Sequence, residues 1–167
     1  MFGFRKRTFQ SPAELWKDLS FLLSHLSYIR GTMSAHVPPA FRERLMMVVT
    51  QVNGCRHCRT VHARQLAKVG ISDAEIHALV AGQIPEQAPA AEVPALVYAL
   101  HWAEHDGVAD PDVFADLVAH YGEEVSEAIG VVLRIIRFTN LVGNTTDYAV
   151  CLASCGYLGM EREAAQG

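Results

Sequence analysis

The chain has 167 residues, half of them apolar and 19% charged, with 12 Gly, 7 Pro and a net charge of −4. That length suits one domain with a single sizeable core, and a composition this apolar suggests that some surface is buried in an oligomer. The acidic balance removes the electrostatic case for nucleic acid, which needs a basic face.

The opening "MFGFRKRTFQSP" carries Arg5, Lys6 and Arg7 without an apolar stretch behind them, so it does not read as a signal peptide. It reads as a frayed tail, with an arm gripping a neighbouring subunit as the sharper alternative. Ser11, Pro12 and Glu14 form an N-cap, a first-turn proline and a capping box. Leu15, Leu19, Leu22, Leu23 and Leu26 then follow at helical spacing. "AFRERLMMVVTQV" is a second helix stopped by Asn53-Gly54, and a third runs from there to Gly70. Ser72 and Glu75 cap a short fourth helix.

Residues 83–94, "QIPEQAPAAEVP", read as a linker between a motif-bearing half, 1–82, and a second helical half, 95–160. "ALVYALHWAEHDG" and "DPDVFADLVAHYG" are the next two helices, the latter capped by Asp110 with Pro111 in its first turn. "EEVSEAIGVVLRIIRFTNLVG" and "TTDYAVCLASCGYLGM" complete the set. Between them "RFTNLVGNTTD" reads as a capped turn, with Asn144 or Thr145 starting the last helix, or else as a substrate or subunit contact. No window alternates at period two. The expected fold is all-α, a compact bundle of seven to eight helices in one domain spanning 1–167. His101, Arg134 and Ser154 break the apolar runs before they reach the roughly 18 residues of a membrane span. A soluble, cytoplasmic protein without membrane contact is expected.

Four cysteines in a cytosolic chain of this size point to metal binding or catalysis rather than a disulfide framework. The stretch "NGCRHCRTVHARQLAKVG" concentrates the reactive groups. Gly54 ends one helix immediately before Cys55, so Cys55 and Cys58 fall in the first turn of the next, where the helix dipole lowers thiol pKa values. Cys55, Cys58 and His62 share one face, with His62 one turn beyond Cys58 and able to carry a proton. Cβ atoms three apart on a helix are roughly 5–6 Å apart, whereas a disulfide needs about 3.8 Å. A bond between the two cysteines is therefore feasible but strained, and strained bonds suit a cycling catalyst.

Glu43 lies ten residues before the corner, roughly 15 Å along its helix, and His62 lies roughly 10 Å past it. If the helices fold back on each other, Glu43 lands near His62, giving a nucleophile, a proton carrier and an orienting acid in one row. Zinc is the competing use of Cys55, Cys58 and His62, with Glu43 or His57 as a fourth ligand, although three ligands on one helix surround an ion awkwardly. His57 points away from the row, and a surface role suits it nearly as well. Cys151 and Cys155 read as ordinary core cysteines beside Tyr148, Leu152 and Leu158. His101 and His105, four apart, read as a half-exposed helix face.

Glu43, Cys55, His57, Cys58 and His62 together match a Glu, eleven residues, then Cys-x-His-Cys-x-x-x-His. In that pattern the chain resembles the alkylhydroperoxidase D-like (AhpD-like) branch of the carboxymuconolactone decarboxylase superfamily. The resemblance implies an antioxidant thiol peroxidase of all-helical fold, commonly a homotrimer or hexamer. Cys58 would attack an organic hydroperoxide or hydrogen peroxide, and Cys55 would resolve the sulfenic acid as a disulfide. Glu43, His57 and His62 would relay protons. No metal or bound cofactor is implied beyond the redox-active cysteine pair and an external dithiol donor such as dihydrolipoamide, carried by a lipoylated adaptor. In many CxxC sites the first cysteine attacks, but the histidine on its own face favours Cys58 here. Longer members carry an Asn-Arg pair near the start of the last helix, where this chain has Asn140-Leu141. A disulfide reductase using the same dithiol, a lactone decarboxylase and a zinc-bound, non-enzymatic oligomer are the alternatives.

Overall fold

Ser11 opens the first helix as its spacing predicts: its hydroxyl accepts the Glu14 N–H (3.2 Å) and Pro12 takes the first helical position. The computed structural model describes residues 6–31, 33–155 and 157–158, and every regular element in them is helical. In chain order these are α1 (Pro12–Ser24), α2 (Leu26–Arg30), α3 (Met33–His36), α4 (Pro39–Asn53), α5 (Arg56–Lys68), α6 (Asp73–Val80), α7 (Val93–Glu104), α8 (Pro111–Tyr121) and α9 (Glu123–Ala153). The all-α expectation holds.

The run Leu45 to Val49 leaves α4 no polar stripe, and a helix apolar all round must be covered all round. It packs against α9, α7, α5 and α6. Leu45, Met47 and Val49 are wholly buried, each contributing about 1.5–3 kcal/mol relative to exposure. Arg44 enters this core with its partners: it donates to Glu75 of α6 (2.5 Å) and to Glu92 (3.0 Å) just before α7. The Tyr121 hydroxyl donates to the Ala91 carbonyl (2.6 Å) and accepts the Ala95 N–H (3.3 Å). The stretch expected as a linker is thus tied down at its end, and its last two residues, Val93 and Pro94, already belong to α7.

Three expectations change. "RFTNLVGNTTD" is no turn, because α9 runs unbroken for 31 residues through it. Asn140, Asn144 and Asp147, spaced four and three apart, fall on one helix face and are buried. Their hydrogen bonds go to neighbouring elements rather than to a local cap. The N-terminal segment is not a frayed tail where it is described: the Arg7 N–H donates to the Asn53 carbonyl (3.3 Å), and the Phe9 N–H to Thr145 Oγ1 (3.1 Å). Residues 1–5 of that basic, aromatic stretch lie outside the described residues, as do Gly156 and the positions from Gly159 onward.

Cys151 is buried, but Cys155 is exposed just past the end of α9 rather than in the core. Its neighbours Tyr148, Leu152 and Leu158 are exposed as well. The leucine stripe of α1 is only partly used: α1 buries no residue fully, and Leu15, Leu23 and the following Leu26 stay exposed. Arg137 of α9 holds α1 through Glu14 and Asp18.

Candidate active site

Gly54 makes the corner. At φ 71° it occupies the left-handed region that favours glycine. Its N–H donates to the Gln51 carbonyl (3.2 Å), and the Cys55 N–H to the Thr50 carbonyl (3.4 Å). That pair of bonds is a Schellman closure of α4. The next residue, Cys55, already serves as N-cap of α5, its sulfur accepting the Cys58 N–H (3.3 Å). With no spacer between the helices, the α5 N-terminus and its positive dipole end are aimed at the two sulfurs.

Cys55 and Cys58 are joined as a disulfide, with Cα atoms 5.3 Å apart. Cys55 is buried, whereas Cys58 is half-buried. α4 and α5 fold back on each other, and the Nδ1–H of His62 donates to Glu43 Oε2 at 2.7 Å. Both side chains are largely buried. The carboxylate holds the proton on Nδ1 and leaves Nε2 as the acceptor. His62 is four residues past Cys58 on the same face. The sulfurs, the imidazole and the carboxylate are therefore stacked in the order that the Glu43 and His62 spacings predict.

His57 is exposed and belongs to a second cluster, centred on Asp147. The Asp147 carboxylate receives Lys6 Nζ (2.8 Å) and both Nε (3.1 Å) and NH2 (3.0 Å) of Arg56, and His57 Nε2 lies 3.4 Å away. Burial pushes this carboxyl up, but the hydrogen bonds and charges of Lys6 and Arg56 together outweigh it and hold its pKa below the ordinary carboxylate value. The anion ties the N-terminal segment and the first turn of α5 to α9.

The remaining α9 contacts finish the frame. Asn140 Nδ2 donates to Thr50 Oγ1 (3.2 Å) and its Oδ1 accepts from Asn53 Nδ2 (3.2 Å). Asn144 Nδ2 donates to the carbonyls of Asn53 (2.7 Å) and Arg7 (2.8 Å). Gly143 lies against the disulfide: a Cβ there would stand 3.2 Å from Cys55 Sγ and 4.0 Å from Cys58 Sγ. Arg56 carries no signal of its role in the sequence, whereas Asn140, Asn144 and Asp147, with Gly143 among them, lie in the segment expected as a capped turn or a substrate or subunit contact. Their four-and-three spacing across the supposed turn was the available signal.

Among the described residues, no three His, Cys, Asp or Glu side chains converge as a metal site needs. His101 and His105 stack on each other, ring centroids 4.1 Å apart. No helix of the described residues is long and apolar enough to cross a membrane.

The described residues are all-helical, with a bonded Cys-x-x-Cys pair at the α5 N-terminus backed by a histidine–carboxylate pair. The carboxymuconolactone decarboxylase family profile matches residues 21–105, just over half of the chain, and the chain belongs to that family. No curated protein and no solved structure shows a significant match.

Proposed function

We propose that the protein is an AhpD-like, thiol-dependent peroxidase that cycles Cys55 and Cys58 between dithiol and disulfide. The observation that carries this reading is the 2.7 Å His62–Glu43 pair one turn behind a half-buried Cys58 at a helix N-terminus. The Cys58 thiolate attacks the peroxide, the O–O bond breaks, and sulfur becomes a sulfenic acid. His62 Nε2, oriented by Glu43, takes the Cys58 thiol proton as the thiolate forms and returns it to the departing alkoxide, and Glu43 balances the positive charge held in between. The buried Cys55 sulfur then attacks Cys58. The S–S bond forms and the hydroxyl leaves as water with the proton that Cys55 gives up. An external dithiol such as dihydrolipoamide, carried by an adaptor, restores the pair by exchange and is itself oxidised to a disulfide. His57, held near Asp147, is an outer member of the relay.

Exposed Trp16 and Leu23 on α1 and Leu152 on α9 support self-association, as a trimer or hexamer. A lactone decarboxylase is a further activity within the wider superfamily, but that chemistry stabilises a carbanion and has no use for a dithiol.

The test is turnover of cumene hydroperoxide by the reduced protein with dihydrolipoamide as donor. Peroxide-dependent consumption of the donor, absent in Cys58→Ser, is expected. Rapid reduction of the disulfide by dihydrolipoamide without peroxide consumption would replace the reading by a disulfide reductase.

A further inference from the structure

Where α1, α7, α8 and the first half of α9 meet, a cavity of about 300 Å³ opens between Phe21, Tyr98, Trp102 and Phe114. Its lining includes one row of α9, Ser126, Gly130 and Arg134, spaced four apart and hence stacked on a single helix face, with His25 also on the lining. Ser126 and Gly130 of that row are unusual, and Arg134 is exposed at its end. Ser126 is wholly buried, yet its hydroxyl has no hydrogen-bond partner, a cost that folded proteins rarely leave standing. Gly130 weakens the middle of a long helix relative to alanine, although a Cβ there would meet nothing within 4 Å. Packing does not require that glycine, and the space beside it is open. The Arg134 guanidinium sits 4.5 Å over the Phe21 ring and makes no ion pair among the described residues.

We infer that this cavity is a second binding site, for a small molecule with an apolar body and a carboxylate. The body lies between the aromatic walls in the space over Gly130, the carboxylate meets Arg134 at the mouth, and a polar atom reaches the Ser126 hydroxyl. Glu127 is also on the lining. Its charge adds to burial in raising the pKa of Tyr28, so it faces that neighbour as well. Arg134, stacked on Phe21 and without a carboxylate partner among the described residues, sets the preference for an anion. Gly130 and Gly143 are thirteen residues apart on α9, roughly 20 Å at the helical rise. The cavity is therefore separate from the sulfurs and does not depend on the peroxidase reading.

The probe is 4-phenylbutyrate, titrated into the full-length Trp16→Phe protein and read by the fluorescence of Trp102, then the sole tryptophan. A saturable change is expected, with the neutral 4-phenylbutanol and the cationic 4-phenylbutylamine each binding about tenfold more weakly or worse. Arg134→Leu should remove the preference for the acid over the alcohol. Gly130→Leu fills the space with a better helix former, and should abolish binding while helical content by circular dichroism is unchanged. Absence of a saturable change, preference for the amine, or equal binding by Gly130→Leu would each overturn the inference. A fluorescence change that tracks dissociation of an oligomer on size-exclusion chromatography would overturn it too, assigning the cavity to a contact between copies.

Discussion

Glu43 and His62, on consecutive helices and nineteen positions apart, meet at 2.7 Å across a corner made by Gly54 alone. The contact is tight because the Schellman closure of α4 and the N-cap of α5 share that corner with no spacer. It gives His62 a fixed tautomer. His62→Gln should slow peroxide-driven oxidation of the cysteines by about 10²–10⁴-fold, the usual worth of a positioned acid–base group. Glu43→Gln should slow it less, and the double variant should be about as slow as His62→Gln, because the two act as a unit. Stopped-flow oxidation with a fixed hydroperoxide checks all three.

Asp147 predicts a pH dependence. Its folded pKa is depressed, so its contribution is present above the ordinary aspartate value of about 3.9 and is lost as pH falls through the lower folded value. Asp147→Asn should cost about 2 kcal/mol at neutral pH, given charged hydrogen bonds from Lys6 and Arg56. The gap to wild type should close as pH falls below about 3.9. Denaturant melts of both proteins across that range provide the measurement.

Gly143 and Gly130 make a matched pair on one helix. Alanine at either position gains helix propensity, about 0.8–1 kcal/mol. At 130 nothing opposes it, so Gly130→Ala should simply be more stable. At 143 the new methyl stands 3.2 Å from Cys55 Sγ, and the sulfur must shift to make room. Because the bonded sulfur has fewer places to go than a free thiol, Gly143→Ala should raise the reduction potential of the pair, by about 30 mV for each 1.4 kcal/mol of crowding. Equilibration against a dithiol redox buffer reads that shift, and an unchanged potential would contradict it.

Asn140 and Asn144 also explain which parts of the architecture were legible in the sequence. The α4–Gly54–α5 corner was, because its signals are local: an apolar run, a positive-φ glycine, and titratable residues counted outward from it. The α9 interruption was misread for the same reason. Asn, Gly and Thr together have the composition of a turn, and their local preference was outweighed by hydrogen bonds to Thr50, Asn53 and Arg7, far away in sequence. Nor could spacing tell that Cys155 is exposed beyond the helix end, or that the α1 leucines stay partly uncovered, since burial depends on what packs against a face. Asn140→Ala should cost about 2 kcal/mol by leaving Thr50 and Asn53 short of partners, measured by urea denaturation.

The most direct measurement is mass spectrometry of trapped thiols after one equivalent of organic hydroperoxide is added to the reduced protein, followed by dihydrolipoamide. Rapid formation of the Cys55–Cys58 disulfide, its reversal by dihydrolipoamide, a trapped sulfenic acid on Cys58 in Cys55→Ser and no oxidation of Cys55 in Cys58→Ser are the predicted results. If both thiols stay reduced under peroxide, or the sulfenic acid forms on Cys55, Cys58 is not the attacking group and the proposed cycle is contradicted.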